Sequence, residues 1–351
     1  MSSVATPSGT DTPGAPAAPD LARSPRRRRL IRVVTDSTAV IFLVLLGLVL
    51  VFSVLRPDAF ASLNTVRNIA IGTSYLLVLA VGMTFVIITA GIDLSVGSVL
   101  VFSGVVAVAV MQRLGEGQGW GAVVAGTAAA VLAGLAWGLL NGVLVAKAKI
   151  PAFIVTLGSF GSAQGAALLL TGGVDQRGVP RELVTSVGTG RLFGQMPWLV
   201  VVALTVAIAG GVVLRYARFG RYTYAIGSNA EAARRVGVNV DRHLVKIYAL
   251  SGALAGLAGV INLARFTNTT LQGHATDNLQ AIAAVVIGGT SLFGGIGGMF
   301  GTIVGVLIPS VLTYGFVILR VQPFWQTFAV GIVLVAAVYV DQLKRAARSR
   351  L

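Results

Sequence analysis

Long apolar runs alternate along the chain with short polar stretches, and each apolar run has the length that crosses a membrane. A helix needs about 20 apolar residues to cross about 30 Å of hydrocarbon. Runs of about this length occupy 38–55, 69–90, 96–112, 120–145, 151–171, 197–214, 247–263, 279–296, 299–319 and 323–340. The pattern predicts an all-α integral membrane protein, a polytopic bundle of about ten transmembrane helices.

Two stretches are too long for a single crossing. Residues 68–112 contain one charge, Asp93, and residues 278–319 contain none. Both should therefore turn and cross twice. The composition agrees, since 55% of the residues are hydrophobic and 11% are charged, against about 25% charged in an ordinary soluble domain.

The placement of charge predicts the orientation. If the N-terminus is cytoplasmic, 19 of the 27 Lys and Arg residues fall in inside segments and 8 fall outside. Basic residues accumulate on the cytoplasmic side of membrane proteins. We therefore expect a multi-pass protein of the plasma (inner) membrane with both termini cytoplasmic. The net charge of +15 then reflects topology and contact with membrane lipid, and no nucleic-acid partner is expected.

The two ends of the chain differ from the apolar middle. Residues 1–29 contain five prolines and end in the basic cluster 26–29, a composition that cannot bury an apolar face. We predict a disordered cytoplasmic tail over 1–34, a transmembrane domain over 35–345 and a short basic tail over 346–351. The first apolar run is followed by no small-residue cleavage site, so it should be a retained span.

The charged segment 215–246 holds seven Arg and Lys residues between two apolar runs. Asn229 before an acid and two alanines, with Gly237 at the end, predicts a two-turn helix outside the lipid. A mere linker needs only about 2–8 residues, so the segment favours a docking surface over a solvated linker helix. Its candidate residues are Gly227, Asn229, Glu231, Ala232, Ala233, Arg234, Val236 and Gly237.

In this hypothesis three small side chains, Ala232, Ala233 and Val236, enter a cleft of a soluble partner. Glu231 and Arg234 fix the register at the rim of that cleft. Gly237 ends the helix in the left-handed conformation that favours glycine.

Glycines recur four residues apart at 134/138/142, 252/256 and 297/301/305. Glycine at this spacing lets two helix backbones approach closely. The stripes are compatible with a dimerisation face, but packing inside a large bundle is favoured because the motif is common in multi-span proteins.

Two turns carry features beyond packing. Asp93 lies in the turn 91–97 and is interpreted either as a pathway residue or as a cap of the following helix. The turn 288–298 is uncharged and rich in glycine, which suits a broken helix beside a cavity. The turns occupy related positions in the two halves of the chain, and both are expected to face the cytoplasm near the pathway or its mouth.

Catalytic chemistry is not expected. The chain has no cysteine, and its two histidines, His243 and His274, lack the spaced partners of metal motifs. Each histidine should be solvated or hydrogen-bonded locally. We predict no enzyme activity, no metal and no bound cofactor.

Three segments together resemble the permease subunits of bacterial ABC importers for monosaccharides, the ribose, xylose, arabinose and galactoside group. They are VGMTFVIITAGIDLSVGSV at 81–99, NGVLVAKAKIPAFIVTLG at 141–158 and AIAAVVIGGTSLFGGIGG at 281–298. The resemblance covers about 35–345 and implies a ten-helix permease that pairs with a second permease subunit, as a homo- or heterodimer. It also implies a cytoplasmic ABC ATPase, which uses the ATP, and an extracytoplasmic sugar-binding protein.

In that family the loop between spans six and seven supplies the coupling helix. Here Glu231-Ala232-Ala233-x3-Gly237, followed by Ile247, is similar to the coupling motif of importers in general, whereas Tyr248-Ala249-Leu250 departs from its usual ending. The resemblance also implies a path lined by groups that stack on or hydrogen-bond a sugar. The candidates are Asp93, Ser95, Asn141, Phe153, Gln164, Gly288, Gly289 and Phe293.

Two alternatives stay open. A branched-chain amino-acid permease would share the architecture but bind a zwitterion. An autonomous secondary transporter would normally place ionisable residues inside its spans, and Asp93 is the one acid within the long apolar stretches.

Overall fold

The computed structural model describes residues 37–114 and 119–322, together with Phe324, Trp325, Phe328, Gly331, Ile332 and Tyr339. The predicted tails 1–34 and 346–351 lie outside the described residues, as does most of the predicted span 323–340.

The described chain is almost entirely helical. The helices are α1 (Ser37–Leu55), α2 (Pro57–Phe60), α3 (Leu63–Ile88), α4 (Val96–Arg113), α5 (Gly119–Ala146), α6 (Ala152–Thr171), α7 (Trp198–Tyr216), α8 (Arg218–Ser228), α9 (Ala230–Arg235), α10 (Val240–Phe266), α11 (Asp277–Ile287) and α12 (Met299–Ile318). Between α6 and α7 lie a π-helical turn, Leu183–Gly188, and a small antiparallel hairpin of β1 (Arg191–Leu192) and β2 (Met196–Pro197).

Within the described residues, seven helices are long and apolar enough to cross a membrane, namely α3, α4, α5, α6, α7, α10 and α12. The prediction of an all-α membrane protein is confirmed. Of the predicted eighth span, 279–296, only the part up to Ile287 is helical, because α11 ends there after 11 residues. Its helix gives way to a turn in which Gly289, Gly294 and Gly295 have positive φ. At 1.5 Å per residue, α11 is about 16 Å long, roughly half the thickness of the hydrocarbon.

The charged segment is shorter than predicted at its C-terminal side. The long helix α10 already begins at Val240, with Asn239 as its N-cap, so residues 240–246 belong to this helix. The Asn239 side chain accepts a hydrogen bond from the Arg242 amide at 3.0 Å, which fixes the start of the helix several residues before its apolar part.

The glycine stripes pack helices within this chain. A methyl group at Gly134 or Gly138 of α5 would overlap the backbone of Gly252 or Tyr248 of α10. On α12, Gly301 and Gly305 pack in the same way against α11, whereas Gly297 lies in the preceding turn. The internal-packing interpretation is confirmed for α5 and α10, since two backbones this close leave no room for another helix between them.

Polar contacts define two opposite ends of the bundle. We call the end that carries 215–239 the basic end, and there Lys149 bonds to Asp241 at 2.8 Å. At the other end, the Gln112 side chain donates to the Arg177 carbonyl at 2.6 Å. The Gly119 amide there donates to Glu182 at 3.0 Å. Among the described residues, Lys149 and the basic residues of 215–239 therefore lie at one end, and Arg113 and Arg177 lie at the other.

Candidate functional site

The predicted short helix of the charged segment is present as α9. The Asn229 carboxamide oxygen accepts from the Ala232 amide at 2.9 Å. At the other end Gly237 has φ +89°, its amide donates to the Arg234 carbonyl and the Val238 amide donates to the Ala233 carbonyl, both at 3.0 Å. This paired hydrogen bonding is a Schellman termination. The helix cap and the glycine terminator are both confirmed.

The apolar face of α9 differs from the expected docking face. Ala233 is 4% exposed and packs with Ile226 and Val240, so it is not free to enter a partner's cleft. Residues four apart share a face of a helix, and the buried face of α9 is the one that carries Ala233. Ala232 remains exposed and Val236 is 80% exposed, which leaves these two as the small apolar surface.

The charged residues of α9 have partners within the chain. Arg234 donates to the Asp241 carboxylate at 2.6 Å, and Lys149 reaches the same carboxylate from the turn after α5. Glu231 lies 3.5 Å from Arg235 on an exposed face. Arg234 therefore attaches α9 to the start of α10, where it was expected to face another protein. Exposed pairs of this kind add little stability, but together they fix the position of the short helix.

The helix α8, which precedes α9, connects the basic end to the interior. Its residue Gly227 lies so close to Ile88 and Gly295 that a methyl group there would overlap the Ile88 carbonyl oxygen and lie 2.6 Å from the Gly295 nitrogen. The Gly295 amide itself donates to the Ile88 carbonyl at 2.8 Å. The end of α8 is thus wedged between the turns that follow α3 and α11.

A second hydrogen bond holds α8 to the glycine turn. The Tyr224 hydroxyl donates to the Gly297 carbonyl at 2.8 Å. Burial raises the pKa of the Tyr224 phenol, so the hydroxyl keeps the proton that it donates. Tyr224 therefore attaches α8 directly to the glycine turn.

The turns after α3 and α11 share one geometry. Ala90 has φ +60° and the Gly91 amide donates to the Val86 carbonyl at 3.1 Å. Gly289 has φ +89° and the Thr290 amide donates to the Val285 carbonyl at 3.1 Å. Each helix therefore ends in a left-handed residue at the related position of its half of the chain.

The segment after α3 does not stay at the basic end but carries Asp93 into the bundle. The Ser251 hydroxyl donates to the Asp93 carboxylate at 2.9 Å, and Ser251 lies eleven residues into α10, about 16 Å from its start. Residues 89–95 therefore return into the bundle, and α4 begins inside it. Non-helical backbone at this depth is tolerated where protein surrounds it.

Asp93 is the centre of a buried polar network. Its carboxylate accepts from the Ser95 amide at 3.0 Å and from the Ser95 hydroxyl at 2.6 Å. Asn141 donates to the Ser95 hydroxyl at 2.9 Å and accepts from Ser159. Asp93 is 1% exposed. The carboxylate binds Ser95, the residue before α4, and the network joins α5, α6 and α10 around the start of α4.

The structure brings some of the predicted path residues together and separates the others. Asp93, Ser95 and Asn141 share the buried network. Phe153 points outward from α6 and is 53% exposed, and Gln164 donates to the Leu271 carbonyl at 2.7 Å. The last three, Gly288, Gly289 and Phe293, lie in the glycine turn. The predicted path residues therefore fall in separate parts of the described structure.

A second discontinuous segment enters from the end opposite the basic end. After α10 ends at Phe266, residues 267–276 lead into the bundle, and the Asn278 side chain donates to the Leu94 carbonyl at 3.0 Å. The N-termini of α4 and α11 are therefore neighbours inside the protein. Beside the start of α11 lies a cleft of about 320 Å³. Sequence reasoning missed this cleft, although the polar cluster 265–280 within an apolar region was visible.

Discontinuous helices that meet within a bundle are typical of transport proteins, and the folded basic element beside them suits coupling to a soluble partner. The fold and site thus define a membrane permease. A family profile described as branched-chain amino acid transport system / permease component matches residues 65–338. The chain belongs to this family.

Individual relatives of the chain are import permeases as well. The chain is 40% identical over 304 residues to the ribose import permease protein RbsC of Escherichia coli (strain K12), covering 86% of this chain and 92% of the relative. It is 36% identical over 291 residues to the autoinducer 2 import system permease protein LsrC of Yersinia pseudotuberculosis, covering 82% and 80%. No solved structure matches the chain significantly.

Proposed function

We propose that the chain is the membrane-spanning subunit of an ATP-driven importer for a monosaccharide. The relatives named for ribose and autoinducer 2 import support a sugar-like substrate. The observation that carries the coupling role is the wedge of α8 against Ile88 and Gly295, with α9 exposed beyond it. A partner that moves α9 would move both interior turns.

In this proposal the basic end faces the cytoplasm and binds an ABC ATPase, because basic residues accumulate there. Both termini are cytoplasmic, and the chain crosses the membrane ten times when α1, α11 and the span 323–340 are included. A second permease subunit completes the path. An extracytoplasmic binding protein delivers the sugar to the opposite end, where residues 172–196 lie.

In this proposal the chain itself catalyses no reaction. ATP binding and hydrolysis belong to the ATPase, and the permease supplies the path and the coupling surface. The path must release what it takes up, so we expect weak sugar binding by this subunit. A branched-chain amino acid is the competing substrate, in line with the family's description.

The coupling role is tested with Gly237→Val. Open space surrounds Gly237, so the added side chain clashes with nothing, but its φ of +89° disfavours a β-branched residue. The strain costs about 1 kcal/mol or more and would tilt the end of α9. We expect normal membrane insertion, with loss of ATPase co-purification or of coupling between ATP hydrolysis and sugar uptake.

Gly172→Val is the matched control. Gly172 also has positive φ, +63°, and open space, but it ends α6 at the opposite end of the bundle. The measurement is sugar uptake and ATP hydrolysis by the permease reconstituted with its ATPase and binding protein. Equal behaviour of the two variants would refute the coupling assignment. Import of leucine or isoleucine in place of a sugar would refute the substrate assignment.

A further inference from the structure

The cleft beside the start of α11 has the size and lining of a small-ligand site. It is bounded by α3, α10, α11 and α12 and has a volume of about 320 Å³, within the range of small-molecule pockets. Polar and aromatic side chains face it from all four helices: Tyr75, Arg265, His274, Gln280, Thr313 and Tyr314.

One wall of the cleft is fixed by buried hydrogen bonds. The His274 Nδ1 atom lies 2.6 Å from the Asp277 carboxylate, and its Nε2 atom lies 2.7 Å from the Thr270 hydroxyl. His274 is 5% exposed and Asp277 2%. Asn262 donates to the same Thr270 hydroxyl at 3.1 Å. This chain of bonds holds the imidazole ring, and Tyr75 packs on it with ring centroids 5.4 Å apart.

Other groups in the cleft have hydrogen-bonding capacity to spare. The Arg265 guanidinium lies 3.4 Å from the Gly72 carbonyl and 3.5 Å from the Tyr314 hydroxyl, both long for such bonds. It forms no ion pair with a carboxylate among the described residues. The Gln280 amide reaches the Thr276 hydroxyl at 3.5 Å, again at the limit. The Arg265 guanidinium also lies over the Phe266 ring, 4.7 Å from its centroid, and this contact leaves its N–H groups able to donate to a ligand.

We infer that this cleft is the site where the permease holds an uncharged, polyhydroxylated ligand, a monosaccharide, on its passage. The inference rests on the proposed function. Sugar hydroxyls both donate and accept, which matches a cleft that mixes guanidinium, amide, hydroxyl and phenol groups. The aromatic rings of Tyr75 and Tyr314 offer apolar contact for the carbon skeleton.

The same lining disfavours a branched-chain amino acid. Its ammonium group needs a free carboxylate, and Asp277 is already bound to His274. Its aliphatic side chain needs a wholly apolar pocket. The location of the cleft agrees with a path that leads into the bundle. Arg265 places the cleft near the end opposite the basic end, and the adjacent helix α11 begins next to Leu94 inside the bundle.

The absence of cysteine from the chain permits a direct test with Thr313→Cys, which places a single thiol in the cleft. The variant is reconstituted with its ATPase but without the binding protein, and is labelled with a charged methanethiosulfonate reagent. D-ribose, D-xylose, L-arabinose and D-galactose are the probes. We expect one of them to slow labelling about threefold when present at twice its dissociation constant. Thr185→Cys, exposed at the same end, should react equally with and without sugar.

Uptake kinetics supply the second readout. Gln280→Ala and Tyr314→Phe each remove one hydrogen-bonding group and should raise the sugar concentration for half-maximal uptake by about three- to tenfold. Phe42→Leu, an exposed aromatic site on α1, is the control and should behave as the wild type.

The outcomes separate the two proposals. If the wild-type complex imports none of the four sugars, the proposed function fails. If it imports a sugar that neither protects Thr313→Cys nor responds to Gln280→Ala, the proposed function survives and the cleft assignment is overturned. Protection of Thr313→Cys by leucine would also overturn it.

Discussion

Replacing Gly227 by alanine tests whether α8 transmits movement from the basic end to the interior turns. The new methyl group would lie 2.6 Å from the Gly295 nitrogen and overlap the Ile88 carbonyl oxygen. Both obstacles are backbone atoms, so no side chain can rotate away. Since non-bonded atoms pack at about 3.5–4.0 Å and the Ile88 oxygen is the closer obstacle, α8 must move outward by about 2 Å.

The energy of this change is the difference of two effects. Overpacking costs about 1–3 kcal/mol, while alanine within a helix gains about 1 kcal/mol over glycine. The net loss of up to about 2 kcal/mol falls on the contact between α8 and the two turns. The bundle itself should fold and insert, because its glycine contacts between α5 and α10 are untouched.

The assay is the number of sugar molecules imported per ATP hydrolysed in proteoliposomes that contain the complete importer. We expect Gly227→Ala to hydrolyse ATP at a rate near that of the wild type but to import several times less sugar per ATP. Gly161→Ala, on α6 with nothing within 4 Å of the added carbon, should behave as the wild type. A wild-type ratio for Gly227→Ala would refute the reasoning that the wedge transmits the movement.

Three further predictions concern the bundle and its orientation. Asp93→Asn should keep uptake and thermal stability near those of the wild type, because an amide can still bond to Ser95 and Ser251. Asp93→Ala should lower the free energy of unfolding by about 1–3 kcal/mol. Abolished uptake in well-assembled Asp93→Asn would show that the charge itself is needed. Gly138→Leu should abolish the monodisperse peak in size-exclusion chromatography, since α5 and α10 cannot separate; an unchanged peak would contradict this packing. A reporter fused after Leu351 should be active only in the cytoplasm, and activity outside the cell would contradict the topology.

Several helices and helix ends could be predicted from the sequence, because interactions between residues close together in the chain determine them. Apolar runs of membrane length predicted α3 to α7, α10 and α12, although α3 and α10 begin six and seven residues before the predicted spans. Asn229 and Gly237 gave the two ends of α9, since a cap and a left-handed terminator act on the nearest backbone groups. The glycine stripe on α5 indicated close helix packing, although its partner was not visible.

Burial within α9 and the length of α11 depended on the rest of the chain. Ala233 and Val236 look equivalent as small apolar residues, but the direction of the helix buries the first against Ile226 and exposes the second. The apolar run 279–296 has the composition of a span. Whether its glycines continue a helix or form a turn was decided by the close contacts with α8 and α12.

What the sequence by itself determined is the class of protein, its spans and the helix of the charged segment, because hydropathy and capping act over a few residues. Tertiary structure decided where Asp93 and the cleft lie. The return of 89–95 into the bundle beside Ser251, and of 267–276 towards Leu94, depends on contacts between residues more than 150 positions apart. No local periodicity encodes such contacts, because the two hydrogen-bonding groups that meet come from different halves of the chain.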